Sequence, residues 1–328
     1  MSNRRSNHLE PLNAATVTQM VQEPLPTFEE AEKLFYANEK AKNRSKRTIA
    51  WHRENMHAFK KALGEQQIPL DLAAITYRTI RNHLVLYAIE QWNNKPRTIN
   101  MRLQTLRQFF DFLVDEGYLS ENPATRVKKL KDPDSLIVAL SPDQVRRMLA
   151  VPDKQTFTGF RDYTIMLLLL DTGLRLSEVS GLLIGEGHIN FSEGWIKVLG
   201  KGARERTVPL QGKLKRTLKT YLAHRGQDLD HDYCFVTIDN DPLRNRSIQD
   251  RLEWITRKAG ITDIQTSPHI WRHTFARLYI LNGGDPFSLR KILGHKSWQM
   301  VHRYVNLFGS QIQDQHKKAS PLENLERF

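Results

Sequence analysis

The sequence predicts a mainly α protein with one small antiparallel β-sheet, divided into a helical bundle and a mixed α/β domain. Three observations carry this. At 328 residues the chain is long enough for two hydrophobic cores. Apolar residues recur at helical spacing from about residue 26 to 120 and through most of the rest, while between His188 and Leu210 the period drops toward two. The stretch Arg126 to Asp134 is basic, broken by Pro133, and has the composition of an interdomain linker. The expected divisions are a flexible leader (1–25), the bundle (26–120), a linker (121–137), the second domain (138–319) and a short tail helix (320–328).

Each element has a local cause. Thr27 caps a first helix whose amino end favours Glu29 and Glu30, with Ala31, Leu34 and Phe35 as its apolar stripe. A basic link, Lys40 to Thr48, enters a second helix with Ile49, Met56, Phe59 and Leu63 inward. A third covers roughly Thr76 to Trp92. A fourth runs from Arg97 to Glu116 with Ile99, Leu103, Leu106, Phe109, Phe110 and Leu113 on one face, and Gly117 stops it. In the second domain Ser141 caps a helix with Pro142 first. Gly159 to Asp171 is apolar nearly all round and reads as a central buried helix ended by Thr172-Gly173. Ile189–Phe191, Trp195–Val198 and Glu205–Leu210 read as short strands, and helices near 212–225 and 247–259 follow. Tyr233-Cys234-Phe235-Val236 reads as a buried strand holding an inert thiol.

Composition narrows the function. The formal net charge of +13 points to a polyanionic partner, nucleic acid first. The longest apolar run, Ile165 to Leu170, is too short to span a bilayer, and Asn3 to His8 leads into a polar stretch unlike a signal peptide. A single cysteine excludes an internal disulfide and a cysteine-rich zinc site, and fits a reducing cytoplasm. In the bundle, Lys46 and Arg47 open one helix, while Lys95, Arg97, Arg102 and Arg107 gather at the start and outer face of another. Two basic helix starts suit the backbone of a duplex, whereas any one of them alone also suits a solvated face.

Chemistry-bearing residues stand in a fixed order. Arg175 follows the Thr172-Gly173 break, with Glu178 placed to pair with it. Lys201 sits between two glycines at a hairpin tip. His269 and Arg272 share a helical face in Pro268-His269-Ile270-Trp271-Arg272-His273-Thr274-Phe275-Ala276. Leu293-Gly294-His295 comes next, and Tyr304 lies nine residues beyond. One oxygen nucleophile among cations suits attack on a phosphodiester. Bland readings stand beside this: a surface Arg175–Glu178 pair, an exposed turn lysine, and a zinc site from His269, His273, His295 and His302 that lacks a cysteine or acidic third ligand.

Taken together, these motifs resemble the tyrosine recombinase, or phage integrase, family over about residues 26 to 319. The resemblance implies a two-domain C-shaped clamp on double-stranded DNA, in which the bundle is the core-binding domain. It implies a site-specific recombinase of an Xer-like, transposon or phage type, working on two DNA sites as a homotetramer through a 3′-phosphotyrosine and a Holliday junction. Tyr304 would be the nucleophile, Arg175 and Arg272 the phosphate clamps, Lys201 the acid for the leaving 5′-oxygen, His269 the proton relay, and His295 a phosphate ligand, with nearby Trp298 as packing. No cofactor or metal is implied, because the bond energy stays in the protein–DNA link. A supercoil-relaxing enzyme of the type IB topoisomerase kind and a non-catalytic DNA-binding regulator are the rival readings. The tail, with Leu322, Leu325 and Phe328 as a short apolar edge, would dock on a neighbouring copy.

Overall fold

The computed structural model describes residues 24–132, 137–200, 204–226, 229–264, 267–294 and 297–308. The chain falls into two compact units, 1–135 and 136–328, each with its own hydrophobic core. The leader up to residue 23, the tail helix, Lys201 and His295 lie outside the described residues.

The first unit is helical. Helix α1 (Phe28–Ala41) starts from a capping box in which Thr27 and Glu30 exchange backbone hydrogen bonds. Its inward stripe is Phe28, Ala31 and Phe35. Leu34 is 42% exposed, contrary to expectation. Glu39, near the end of the helix, is buried, and its carboxylate lies near Arg44 and His52. Helix α2 (Lys46–Glu65) buries Met56, Phe59 and Leu63. Helix α3 runs through Tyr77–Ile80, a wide π-helical turn at Arg81–Leu86, and Tyr87–Glu90. Gln66 from the end of α2 donates its amide to the His83 carbonyl and meets the His83 ring at 2.7 Å, supplying the widened turn with a partner. Helix α4 (Pro96–Asp115) buries the predicted face from Ile99 to Leu113. The segment after it is less free than its charge suggests. Ala124 and Val127 are buried, and Asn100 pairs with both backbone groups of Leu130, so residues up to about 130 pack onto this unit.

The second unit is built round helix α6 (Phe157–Thr172), which follows α5 (Pro142–Ala150) and is buried on nearly every side. Then come α7 (Leu176–Ser180), strands β1 (Ile189–Asn190), β2 (Trp195–Gly200) and β3 (Arg204–Pro209), and helices α8 (Gly212–Arg225) and α9 (Asn245–Lys258). The strands form one antiparallel sheet in the order β1-β2-β3, with Ile196 opposite Val208 and Val198 opposite Arg206. Helices α10 (Pro268–Leu281), α11 (Pro286–Leu293) and α12 (Trp298–Phe308) close the unit. The expected strand at 233–236 is absent. Tyr233 and Val236 make only isolated bridges to Leu183 and Pro242, because no neighbouring segment stays extended long enough to form a ladder. Cys234 is nevertheless fully buried, and burial pushes its thiol up to about 12. Among the described residues no helix is long and apolar enough to cross a membrane.

Candidate active site

The site begins where α6 ends. Gly173 caps that helix in the left-handed conformation, with φ 60°. A side chain there would meet Phe275 Cδ1 at 2.4 Å and Leu293 Cδ2 at 2.7 Å, so glycine is what lets α10 and α11 close onto this turn. Two residues later Arg175 stands in extended backbone at the N-cap of α7. Its N–H donates to Glu178 Oε2 at 2.8 Å, and its Nη1 donates to Glu178 Oε1 at 2.9 Å.

Glu178 is only 4% exposed and holds a second arginine. Arg206, on β3, donates Nη1 to Oε1 at 2.7 Å and Nη2 to Oε2 at 2.9 Å, a bidentate pair. Burial opposes the charge on Glu178, but the bonds from Arg206 and Arg175 outweigh it and hold the carboxyl below its ordinary range. Arg206 also donates Nε to the Ile292 carbonyl at 2.8 Å. The next carbonyl, Leu293, accepts from Arg272, whose other terminal nitrogen donates to Gly173 O at 2.8 Å. Two arginines thus satisfy the carboxyl end of α11, where carbonyls lack helical partners and the dipole is negative.

Arg272 is 4% exposed. Burial, together with the neighbouring Arg175 and Arg206, pulls it down to about 10, against the opposing influence of Glu178 and Tyr304. It therefore remains a cation at neutral pH, one held beside other cations and disposed to receive an anion. Tyr304, from α12, is 1% exposed, and burial pushes its phenol up to about 12 although Arg272 and Arg303 pull the other way. Its hydroxyl lies 2.7 Å from Nδ1 of His273. His269 is exposed on the first turn of α10.

Of the six residues expected to form the site, Arg175, His269, Arg272 and Tyr304 are gathered on α7, α10 and α12, and the other two lie outside the described residues. Trp298 is partly exposed and packs edge-on against Phe287, with Arg290 over its ring. Among the described residues no three His, Cys, Asp or Glu side chains converge to hold a metal ion. Arg206 escaped the sequence reading, and His273 entered it only within the motif and as a candidate zinc ligand. Arg206 had a signal: the strand period places it on the inward side with Val208 and Leu210, an unusual position for a charge. His273 stood in the motif directly after Arg272, but nothing along the chain set it against Tyr304.

In the bundle, Lys46, Arg47, Lys95 and Arg97 are exposed. Arg102 lies over the Trp92 ring, 4.9 Å from its centroid. Arg107 turns inward instead, giving its guanidinium to the carbonyls of Ala124 and Val127, because the packed segment after α4 leaves those acceptors facing it.

Solved structures share this architecture. XerH site-specific recombinase bound to palindromic difH substrate aligns with a TM-score of 0.70 at 20% identity, covering 90% of this chain and 84% of that one. A lambda integrase dimer bound to a COC′ core site aligns with a TM-score of 0.69 at 18% identity, covering 84% and 97%. The fold is therefore that of the integrases and recombinases: a helical unit, then a mainly helical unit with a small antiparallel sheet. The Phage integrase family model matches residues 139–310, and the model for the phage integrase, N-terminal SAM-like domain matches residues 35–117. Tyrosine recombinase XerC of Myxococcus xanthus is 32% identical over 290 residues, 86% of this chain and 94% of that protein. Tyrosine recombinase XerC of Oceanobacillus iheyensis is 29% identical over 289 residues, 86% and 93%. The chain belongs to the phage integrase family, as an Xer-like tyrosine recombinase, an enzyme of site-specific DNA recombination.

Proposed function

We propose that this chain cuts and rejoins DNA through a covalent bond between Tyr304 and a 3′-phosphate, passing through a Holliday junction on four copies of the chain. The observation that carries the reading is the convergence of Arg175, Arg272 and the Tyr304 hydroxyl in one charged corner.

In the step itself, Tyr304 Oη attacks phosphorus, the bond from phosphorus to the 5′-oxygen breaks, and that oxygen leaves with a proton from Lys201. Negative charge grows on the two non-bridging oxygens. Arg175 and Arg272 suit them, since a guanidinium stays charged and its planar fork matches phosphate. Two of the five N–H donors of Arg272 go to Gly173 and Leu293, an arrangement that aims the rest of the fork before substrate arrives. His269 relays the tyrosine proton and His295 binds the phosphate. Tyrosine suits a reversible exchange because a phenol leaves far more readily than an alkyl alcohol.

Duplex DNA is held in part by the exposed cations Lys46, Arg47, Lys95 and Arg97, with Arg102, over the Trp92 ring, as a further contact. Arg107 serves the bundle's own loop. Residues 320–328 dock on a neighbouring copy within the tetramer, so truncation after Lys318 should abolish pairing of two sites while single-site binding persists.

The deciding experiment uses a duplex recovered by wild-type binding from a random-sequence pool, nicked to trap the covalent product. Wild type should give a DNA–protein adduct on a denaturing gel. Tyr304→Phe should bind the same duplex and give none. An adduct from that variant sinks the assignment.

A further inference from the structure

His273 has no task in the scheme above, yet its ring nitrogen meets the phenol. The geometry points to His273 as the positioning residue of the nucleophile: its Nδ1 accepts the Tyr304 hydrogen bond and keeps the hydroxyl oriented and sheltered between α10 and α12. This rests on Tyr304 being the nucleophile.

The two side chains meet at 2.7 Å from Nδ1 to Oη, with ring centroids 5.8 Å apart and planes tilted by 56°, so the rings do not stack. A phenol is the better donor of the pair and a neutral imidazole nitrogen the better acceptor, which assigns the imidazole proton to Nε2. The charged and titratable groups facing His273 are His269 and Arg272 on its own helix and Arg303 and Tyr304 on α12. Burial and the three basic neighbours hold its imidazole down to about 4, so the ring is neutral and able to accept. Tyr304 is pushed up to about 12. At equilibrium the shared proton therefore stays on the phenol. A ring that accepts the hydrogen bond without taking the proton orients the hydroxyl and leaves proton removal to another group. Placing an attacking oxygen within a fraction of an ångström of its line of approach is itself worth about a hundredfold in rate.

Two readouts on the full-length chain decide this. In the DNA-free protein labelled with ¹⁵N-histidine, His273 should show a neutral ring protonated on Nε2. Its Nδ1 resonance should move when Tyr304 is replaced by Phe. A proton on Nδ1, or no response to that replacement, overturns the proposal. On the nicked selected duplex, His273→Asn sets an amide oxygen where Nδ1 stood and should cleave within about fivefold of wild type, whereas His273→Leu should lose about a hundredfold with duplex affinity unchanged. Equal losses in the two variants would mean that His273 only fills space. If His273→Leu does not fold, the nitrogen resonances still decide. Adducts formed by Tyr304→Phe would refute the nucleophile and not the hydrogen bond, so the two failures are distinguishable.

Discussion

Replacing Glu178 by Gln keeps the shape of the side chain and removes the negative charge that holds both Arg175 and Arg206. Four hydrogen bonds reach this carboxylate, three from guanidinium groups and one from the Arg175 backbone. Breaking a buried ion pair from one side costs about 3–5 kcal/mol, because the partner charge remains without compensation. Here the carboxylate is almost fully buried, but a third of the Arg175 side chain is open to water, so the lower end, about 3 kcal/mol, is expected. For a unit of this size each kcal/mol moves the melting midpoint by about 2–4 °C, which predicts a drop of about 6–12 °C in differential scanning calorimetry at pH 7. The folded state holds the carboxyl below its ordinary value of 4.5. Its contribution is therefore complete above that value and is lost as pH falls through the folded-state value. Wild type and Glu178→Gln should converge in acid. Cleavage of the nicked selected duplex should fall about a hundredfold as Arg175 loses its aim, while affinity for duplex should hold, since the site gains one net positive charge. A melting midpoint within 1 °C of wild type at pH 7, or a gap between the two that persists unchanged in acid, would refute the argument that this carboxylate organises the site.

Other perturbations probe separate links. Arg272→Ala should lower the rate of adduct formation by about two to three orders of magnitude, as losing a fixed donor to developing charge does elsewhere; single-turnover gels measure it, and a loss under tenfold excludes the assigned role. Gly173→Ala forces a left-handed backbone on a residue whose Cβ collides with Phe275 and Leu293, so a destabilisation of about 2 kcal/mol or more is expected in urea titrations. Lys46→Ala and Arg47→Ala should each weaken duplex binding and shallow the slope of log affinity against log salt by about 1. An unchanged slope in both places the DNA contacts elsewhere.

Much of the helical framework was legible because its causes are local. Thr27 and Ser141 announce helix starts through capping boxes that form as their spacing implies, and the face of α4 from Ile99 to Leu113 is buried as its period requires. Leu34 shows the limit of that logic. It sits on the margin of an apolar stripe whose Ala31 and Phe35 are buried as expected, and only the packing of the bundle decided that Glu39 would be buried while Leu34 met solvent. The 233–236 segment has strand-forming residues, but a strand needs a partner, and among the described residues it finds only isolated bridges to Leu183 and Pro242. The residues after α4 looked like a charged linker because lysines dominate the count, whereas two small apolar side chains, Ala124 and Val127, determine where the backbone lies.

By itself the sequence supplied the charged and hydroxyl-bearing candidates for the site, since Arg175, His269, Arg272 and Tyr304 are picked out by identity and spacing along the chain. Tertiary structure alone decided how those charges are held. Glu178 meets Arg206 across 28 positions, Arg206 reaches the Ile292 carbonyl across 86, and His273 meets Tyr304 across 31. Such pairings arise when α7, β3, α10, α11 and α12 pack round one core, and no local propensity encodes the distance between two elements that touch only after folding.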